Sequence, residues 1–377
     1  MASSLMLLSN PYRPDPRVLR EARALIEEGH RVNIIAWNRD GGDDDVSEEE
    51  GVNVIRLGLK SPFRAPAKVF FGLIRFWLKA LRTARGLNFD VVHSHDFDTL
   101  PLAMLISRLH RAPLLYDAHE IYSNMIWKDV RLLAHMLRPI EIRLSRCADE
   151  IITVNERIAE ALSEKRDTPV RLVRNSPDMS VLRGESTTAI RRRYGLKGMV
   201  ISYLGSLEPG RSVEELATSF SPEQGITVVI AGSGTLQSAV EKAAATNSSV
   251  RFLGSIETDE ALKITLASDL VPTVLDPSNP NFQISTPIKV LEAMACGRPI
   301  IISKGLDMSK IVEDAGCGFI IDYDRQQLVD TVISASKSPE GLDQMGRRGT
   351  EYYEKHLSWQ KSKDALLRAY EALAGLN

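Results

Sequence analysis

Short runs of β-branched and apolar residues alternate with stretches of helical periodicity along the whole chain. The predicted strands form two series, one at residues 5–9, 32–37, 52–57, 91–93, 114–117, 151–154 and 170–173, and one at residues 200–204, 227–231, 250–253, 270–274, 299–302 and 319–321. Helical periodicity fills most of the gaps between them. Because strands that alternate with helices form parallel sheets covered on both faces, each series predicts one doubly wound α/β domain. Such sheets bind ligands beyond the carboxyl ends of their strands.

The length of the chain agrees with two domains. With 377 residues, the chain is too long for one typical hydrophobic core. Residues 175–188 are rich in turn formers and show no clear periodicity, which places the domain boundary there. The sequence predicts a first domain at residues 1–180, a second at residues 181–358, and an amphipathic C-terminal helix at residues 359–377. The acidic run at residues 41–50 is interpreted as a solvated loop.

Composition and charge exclude several classes of protein. Hydrophobic residues make up 44% of the chain and charged residues 25%, and the net charge of −2 argues against a nucleic-acid partner. Three cysteines, Cys147, Cys296 and Cys317, lie far apart and show no metal-ligand spacing, which favours a reducing compartment. The sequence has no secretory signal pattern and no apolar run long enough to span a bilayer. We therefore expect a cytoplasmic protein.

The segment at residues 285–301 (STPIKVLEAMACGRPII) is the most informative motif. Thr286 suits the N-cap of a helix and Pro287 suits its first position. Lys289 and Glu292 are three residues apart, so they share one helix face near an N-terminus that favours anions. This arrangement suits a nucleotide, which carries phosphates and neighbouring hydroxyls. The alternative is a capped surface helix with an ordinary ion pair, and the pattern alone does not separate the two.

Two glycine-bearing strand ends support the nucleotide interpretation. Gly205 follows the strand at residues 200–204, and Gly232 follows the strand at residues 227–231. Glycine at a strand end lets a ligand approach the backbone, and Arg211, shortly after Gly205, can bind phosphate in a bidentate manner. Each glycine alone is weak evidence. Together with residues 285–301, they predict a nucleotide-diphosphate site.

Polar residues follow two strands of the first half in the same way. His95 and Asp96 follow the strand at residues 91–93, and His119 and Glu120 follow the strand at residues 114–117. A histidine and a carboxylate at such an edge can relay a proton or contact a sugar hydroxyl, or the histidine can simply cap the next helix. Asp96 and Asp98 have a common metal-ligand spacing that no other cluster supports, so we predict no metal site.

The first strand is followed by residues 10–17 (NPYRPDPR), a segment with three prolines. Asp15 and Arg17 in this segment either line the ligand site or are charges on a loop.

Residues 60–85 carry seven basic residues and no acidic residue. On a helix, five of the basic residues form a stripe about 60° wide, flanked by aromatic residues. This pattern is typical of a helix on an anionic membrane surface, and the alternative is a core helix with a basic solvent face. The residues that we predict at the membrane surface are Arg64, Lys68, Arg75, Trp77, Lys79 and Arg82.

These motifs, in their order along the chain, resemble retaining glycosyltransferases of family 4, also called group 1, which have the GT-B fold. The segments that carry the resemblance are NPYRPDPRVLREARALIEEGHRV, DVVHSHDFDTLP, YDAHE, ADEIITVNE, RLVRNSPD, YLGSLEPGRSVEEL, VVIAGSG and TPIKVLEAMACGRPII. The resemblance implies two Rossmann-like domains that face a central cleft, with the C-terminal helix crossing back to the first domain. It also implies transfer of a sugar from a nucleotide-diphosphate sugar, of UDP or GDP type, to an acceptor hydroxyl. No cofactor or metal is then required.

The resemblance also implies roles for individual residues. Glu292 would hold the ribose hydroxyls, Arg211 would contact the diphosphate, and Lys289 would offset its charge at the helix start. His95 would lie near the transferred sugar and the acceptor. Arg211 and Lys289 would stabilise the departing diphosphate, where negative charge develops in the transition state.

The chain departs from the family pattern at one informative position. Many relatives carry a second glutamate eight residues before the ribose-binding one, and Ile284 occupies that position here. Ser206 likewise replaces an arginine that is common in relatives. The donor sugar is therefore left open, and two alternatives are a nucleotide-sugar epimerase and a catalytically silent donor-binding relative. The basic helix makes a glycan on a lipid or at a membrane surface the expected acceptor, with the protein peripheral on the cytoplasmic membrane face.

Overall fold

The chain forms two compact units in the computed structural model. The model describes residues 2–13, 15–62, 66–125, 131–164 and 166–375. Unit 1 comprises Met1–Asn175 together with Gln360–Asn377, and unit 2 comprises Ser176–Trp359. The C-terminal helix therefore belongs almost entirely to unit 1.

The elements follow one another in the alternating order expected of doubly wound folds. Up to residue 172 they are β1 (Ser3–Leu8), α1 (Pro16–Glu27), β2 (Arg31–Asn38), β3 (Asp45–Glu49), β4 (Val52–Gly58), α2 (Pro66–Ala84), β5 (Val91–His95), α3 (Leu100–His110), β6 (Leu114–Ala118), α4 (Tyr122–Met125), α5 (Arg131–Ser145), β7 (Glu150–Thr153), α6 (Glu156–Ser163) and β8 (Val170–Leu172). Unit 2 then contains α7 (Thr187–Tyr194), β9 (Met199–Leu204), α8 (Val213–Thr218), β10 (Ile226–Ala231), α9 (Gln237–Thr246), β11 (Val250–Phe252), α10 (Thr258–Ala267), β12 (Val271–Thr273), α11 (Pro280–Ile284), α12 (Ile288–Ala295), β13 (Ile300–Ser303), α13 (Asp307–Ala315), β14 (Gly318–Ile321), α14 (Arg325–Ser336) and α15 (Pro339–Tyr352). The last helix is α16 (Trp359–Ala374).

Unit 1 is built on one sheet with the strand order β3-β4-β2-β1-β5-β6-β7-β8. Its strands pair in parallel except for β3, which is antiparallel to β4. The prediction of a loop at residues 41–50 is therefore wrong for β3. Acidic residues are tolerated in this edge strand because the buried Arg56 of β4 pairs with Asp45 at 3.3 Å and with Glu49 at 2.7 Å.

Alternating residues of the unit 1 strands face two helical layers. On one face, Trp37 of β2 stacks on Phe76 of α2 with ring centroids 5.4 Å apart, within a core that also includes α3 and α6. On the other face, His93 of β5 contacts Glu21 of α1 and Tyr370 of α16. Helix α16 is thus part of the inner packing of unit 1.

Unit 2 contains two three-stranded parallel sheets, β11-β10-β9 and β12-β13-β14. An isolated parallel bridge between Ile201 and Leu270 joins β9 to the start of β12. The combined strand order is β11-β10-β9-β12-β13-β14, which is that of the dinucleotide-binding fold. In that fold the strand order reverses between the first and the fourth strand, which are adjacent in the sheet. Here these strands are β9 and β12, so a ligand site is expected beyond their carboxyl ends.

Within the described residues, no helix has the length and the apolar content needed to cross a bilayer.

Candidate active site

The strand order in the sheet of unit 1 also reverses, between the adjacent strands β1 and β5. From β1 the chain passes to α1 on one face, and from β5 it passes to α3 on the other. Ligands bind in the crevice beside such a point in open α/β sheets. The loops after β1, β5 and β6 therefore define the candidate site of this unit.

Asp117, fully buried in β6, lies at the centre of this site. Arg17 donates to both of its carboxylate oxygens, from Nε at 2.9 Å and from Nη2 at 2.6 Å. His119 Nε2 and His95 Nδ1 lie 2.8 Å and 3.2 Å from Oδ2 of Asp117. Burial alone would raise the pKa of Asp117, but Arg17 and the histidines hold it well below its usual range. Asp117 is therefore a carboxylate that orients both imidazole rings.

The two histidines have different protonation states at neutral pH. Burial lowers the pKa of His119, but attraction to Asp96 and Asp117 outweighs burial and raises this pKa to about 9. Burial lowers the pKa of His95, and the nearby Asp117 offsets this only in part. His119 is thus an imidazolium and His95 a neutral ring. Among the described residues, Nε2 of His95 has no hydrogen-bond partner, so its bonding capacity is unused.

Buried residues on the other side of the His95 ring hold this ring in place. The ring of His93 stacks on that of His95 with centroids 4.2 Å apart. Nδ1 of His93 lies 3.1 Å from the hydroxyl oxygen of Tyr370, and Nε2 lies 3.8 Å from the carboxylate of Glu21. Burial, and then repulsion by Asp117, raise the pKa of Glu21 to about 8. Helices α1 and α16 together hold the rings of β5 in place.

Four of these residues also have the composition of a metal site. Glu21, His93, His95 and Asp117 each offer one ligand atom within 4.8 Å of the others. Arg17 lies among them, however, 3.1 Å from Glu21 and 2.6 Å from Asp117. The fixed guanidinium already neutralises the carboxylate of Asp117, the raised pKa of Glu21 keeps that group mainly protonated at pH 7, and the guanidinium would repel a second cation. We therefore interpret the cluster as a hydrogen-bonded ion-pair network.

The structure assigns structural roles to both candidates of the segment after β1. Arg17 lies in α1 rather than on a loop, and it is buried and also donates to the carbonyl of Val173 at 2.7 Å, so that its contact with a ligand stays a prediction. Asp15 accepts a hydrogen bond from the backbone N–H of Val18 at 3.1 Å and caps α1.

The remaining acceptor-side candidates lie at the carboxyl ends of β5 and β6. Nδ1 of His119 lies 3.3 Å from Asp96, and Nδ1 of His95 lies 3.4 Å from Nε2 of His119. Asp96 has a left-handed backbone, with φ of 63°, and Glu120 is exposed. Sequence reasoning missed Asp117, although a carboxylate inside an apolar run (LLYDA) was the available signal.

In unit 2, the ends of β9 and β10 meet through their glycines. A Cβ atom at Gly232 would lie 1.8 Å from the carbonyl oxygen of Gly205, so no other residue fits there without backbone movement. A Cβ atom at Gly205 would lie 3.5 Å from Nζ of Lys289. The two glycines thus bring the strand ends together beside Lys289.

Two cationic groups lie at this strand edge, the buried side chain of Lys289 and the partly buried side chain of Arg211. Nζ of Lys289 lies 3.7 Å from the centroid of the Tyr203 ring, and the guanidinium carbon of Arg211 lies 4.8 Å from the centroid of the Phe282 ring. Nζ of Lys289 and Nε of Arg211 are buried and have no hydrogen-bond partner among the described residues. Buried charges are normally paired, so this arrangement is typical of a site whose anion is a ligand.

The pKa of Lys289 reflects the same desolvation. Burial, and then repulsion by the nearby Arg211, lower this pKa to about 7, although attraction to Glu292 acts in the opposite direction. An arriving anion would favour the charged form.

Helix α12 begins one residue later than the sequence predicts. Pro287 is its N-cap residue and Ile288 its first residue, so the prediction of Thr286 at the N-cap is wrong. Pro287 has extended backbone, with ψ of 119°, and therefore ends the turn that follows α11 rather than beginning the helix. Glu292 is buried one turn after Lys289, and Ile284 is the last residue of α11.

The basic stripe predicted for α2 divides into two groups. Arg64 lies outside the described residues. The exposed members are Lys68, Arg75 and Arg82. Trp77 is partly buried and its Nε1 donates to the carbonyl of Asp98 at 3.0 Å, while Lys79 pairs with Asp44 at 2.5 Å. Trp77 and Lys79 are thus partly engaged by neighbouring segments of unit 1, and their place at a membrane surface stays a prediction.

Comparison with known families accounts for both units. Residues 14–176 match the family model described as a glycosyl transferase 4-like domain, and residues 198–338 match the model described as glycosyl transferases group 1. The chain belongs to the family 4, group 1 glycosyltransferases. The family resemblance seen in the sequence is confirmed, and retention of configuration stays a prediction.

Curated relatives of this glycosyltransferase include two enzymes named D-inositol 3-phosphate glycosyltransferase. The one from Corynebacterium jeikeium (strain K411) is 24% identical over 315 residues, which cover 76% of this chain and 73% of the relative. The one from Mycolicibacterium smegmatis is also 24% identical, over 379 residues that cover 94% of this chain and 84% of the relative.

Solved structures show the same fold. Sucrose-phosphate synthase from Thermosynechococcus elongatus superimposes with a TM-score of 0.75 at 18% identity, and each chain is covered completely. Anabaena HepE in complex with UDP-glucose gives a TM-score of 0.70 at 15% identity, with 99% of this chain and 100% of HepE covered. The predicted GT-B class, with two Rossmann-like α/β domains, is confirmed.

Proposed function

We propose that this glycosyltransferase moves a sugar from a nucleotide-diphosphate sugar to an acceptor hydroxyl with retention of anomeric configuration. The observation that carries the proposal is a pair of cations beyond the carboxyl ends of β9 and β12, the buried Lys289 and the partly buried Arg211, whose Nζ and Nε atoms have no hydrogen-bond partner among the described residues. Their unused hydrogen-bonding capacity faces the point where a dinucleotide-binding fold holds its ligand. The anion that satisfies them is the donor diphosphate.

Unit 2 supplies the remaining donor contacts in this proposal. The first turn of α12 receives the diphosphate, because its free N–H groups and dipole favour negative charge. Glu292 binds the ribose hydroxyls. Lys289 and Arg211 stabilise the departing diphosphate, so the reaction requires no metal or other cofactor. A UDP-type donor is the first to test, because HepE has been crystallised with UDP-glucose.

Unit 1 supplies the acceptor side. As the bond between the anomeric carbon and the diphosphate oxygen breaks, the acceptor oxygen bonds to the same face of that carbon. The acceptor proton passes to the departing diphosphate oxygen. The neutral ring of His95, held by Asp117, positions the sugar and the acceptor rather than removing the proton.

The donor site is tested by removing its two cations one at a time. We expect Arg211→Ala and Lys289→Ala each to lower kcat about a hundredfold, because a preorganised donor at developing charge contributes about 3 kcal/mol. Release of nucleoside diphosphate is measured with an acceptor panel, and Lys310→Ala, an exposed lysine of the same unit, is the matched control. Near-normal turnover in both variants would sink the assignment.

The same assay separates the alternatives. Nuclear magnetic resonance of the product gives the anomeric configuration and tests retention. Incubation with donor alone distinguishes an epimerase, which would form a new nucleotide sugar without releasing nucleoside diphosphate. Donor binding without turnover across the acceptor panel would indicate a silent relative.

We also propose that the acceptor is a glycan on a lipid or at a membrane surface. The exposed residues Lys68, Arg75 and Arg82 of α2 support this proposal.

A further inference from the structure

Exposed apolar side chains are concentrated on three helices of unit 1, α2, α3 and α5. Among the described residues, seven of the ten large hydrophobic side chains that are exposed belong to these helices, with exposed fractions between 45% and 66%. They are Phe70, Phe71, Leu78, Leu105, Leu109, Met136 and Ile140. Helix α3 contacts both α2 and α5, so the three helices form one continuous surface, which we call the three-helix face.

The three-helix face carries charge of one sign. The helices contain 19, 11 and 15 residues, and their sequences include a single acidic residue, Glu141. Glu141 is buried and accepts hydrogen bonds from the backbone N–H groups of Tyr122 and Ser123 at 2.7 and 3.1 Å, so it does not reach the surface. The exposed basic residues are Lys68, Arg75, Arg82, Arg108, Arg138 and Arg143.

The apolar and basic residues of α2 lie side by side. At 100° per residue, Phe71, Leu78, Arg75 and Arg82 fall within about 60° of one another. The buried side of the same helix carries Phe76, so the exposed stripe is not needed for the core. Bases beside outward-facing aromatic and aliphatic side chains are the composition of helices that lie in a membrane interface.

We propose that the three-helix face docks on an anionic membrane, and that this glycosyltransferase therefore takes an acceptor presented at a lipid surface. That the acceptor lies at a lipid surface rests on the proposed function, whereas the docking of the three-helix face does not. The charge of the face argues against a second copy of the chain as its partner. Two copies placed face to face by a two-fold axis would bring six basic residues against six, and these would repel one another. Anionic lipid headgroups complement these bases, and the acyl boundary accepts the apolar side chains.

The position of the face suits an acceptor of this kind. Helix α3 begins at Leu100, directly after the loop from His95 to Thr99 that carries the acceptor-side residues. A membrane that contacts the three-helix face would therefore lie close to the carboxyl end of β5, where the acceptor-side residues are.

Flotation with vesicles tests the docking. Wild-type protein is mixed at low salt with vesicles of phosphatidylcholine alone or with one third phosphatidylglycerol, and the bound fraction is measured across a lipid titration. We expect binding only to the anionic vesicles, weakening as salt is raised. Arg75→Glu/Arg82→Glu should weaken binding at least about thirtyfold, since each base near an anionic surface contributes about 1 kcal/mol. Phe71→Ser/Leu78→Ser should weaken binding but leave its salt dependence unchanged, because it removes apolar side chains and no charge.

Lys310→Glu/Arg347→Glu is the matched control, because it makes the same change in net charge at exposed positions of unit 2. The control should bind like wild type. Absence of wild-type binding at low salt, or equal loss in the control and in Arg75→Glu/Arg82→Glu, would overturn the proposal. Self-association in sedimentation that the α2 variants abolish, without vesicle binding, would assign the face to a second copy and would also overturn it.

Transfer activity is measured on the same variants with a water-soluble acceptor. Unchanged turnover of Arg75→Glu/Arg82→Glu with lost vesicle binding supports docking as a separate function of the face. Lost turnover of Arg211→Ala with retained vesicle binding would confirm that the donor site and the docking surface are independent.

Discussion

At the scale of single residues, Lys289 combines a positive charge with almost complete burial. It is 8% exposed, and its Nζ has no hydrogen-bond partner among the described residues. The cost of this desolvation appears as a pKa lowered to about 7. A bound diphosphate would raise that pKa again, because an opposite charge favours the protonated amine. If Lys289 binds the donor diphosphate as proposed, donor binding and protonation of Lys289 are linked.

The linkage predicts a pH dependence for donor affinity. Below about pH 7 the free enzyme already carries the charged Lys289, whereas above it a proton must be taken up on binding. We expect the affinity for UDP to fall between pH 7 and pH 9 by up to about tenfold per pH unit. Calorimetry in buffers of different ionisation enthalpy would show the proton uptake directly. Lys289→Arg remains charged throughout this range and should give a flatter profile, and parallel profiles for both proteins would contradict the linkage.

Residues of unit 1 show where reasoning from sequence alone stops. The pattern placed His95, Asp96 and His119 at strand ends because polarity changes abruptly there. Asp117 and Arg17 have no such local signature, since their pairing joins residues 100 positions apart. A carboxylate within an apolar run indicates a buried partner but does not name it. The protonation states follow only from that pairing.

At the scale of elements, the errors in prediction have local causes. Strand β3 was predicted as a loop because its acidic residues are stabilised from outside, by Arg56 of β4. The helical period of α2 places Arg75 and Arg82 on the exposed side, and both are exposed in the structure. The ion pair of Lys79 with Asp44 was not predicted, because the helical period does not reveal which neighbouring loop carries Asp44.

The join between β9 and β10 makes a prediction about Gly232. Alanine there would place Cβ 1.8 Å from the carbonyl oxygen of Gly205, so the backbone of both strand ends must move. We expect Gly232→Ala to lower the free energy of unfolding by more than about 3 kcal/mol. Gly225→Ala is the matched control, because it also has positive φ but has no atom within 4 Å of the added Cβ. Its cost should be only the about 1 kcal/mol of a left-handed residue, and equal losses in denaturant titrations of both variants would refute the steric argument.

At the scale of the whole molecule, strand and helix alternation was sufficient to predict two doubly wound units. The hydrophobic periodicity of the sequence, however, does not predict the order of the strands in each sheet. The parallel bridge between Ile201 and Leu270 establishes that β9 and β12 are neighbours, and this contact defines the strand edge at which we propose the donor site. The hydrogen-bonded contact of Tyr370 with His93 likewise assigns α16 to unit 1. Such long-range pairings are properties of the folded chain, and they place the candidate site.

Because the two units have separate cores, ligand protection should be confined to one of them. UDP at a concentration of about 100 Kd stabilises the state that binds it by about 2.7 kcal/mol. Hydrogen exchange should therefore slow by up to about a hundredfold in unit 2 at residues 205–211, 232–236 and 286–292, because the strand ends and the start of α12 then open only after UDP leaves. Residues 95–98 and 117–120 of unit 1 should exchange as in the free protein, since UDP lacks the sugar that His95 would contact. The Arg211→Ala variant at the same UDP concentration provides the control and should show weaker protection at every one of these unit 2 segments. Protection centred on unit 1 instead would move the donor site to the Asp117 network and remove the assignment of Lys289 and Arg211.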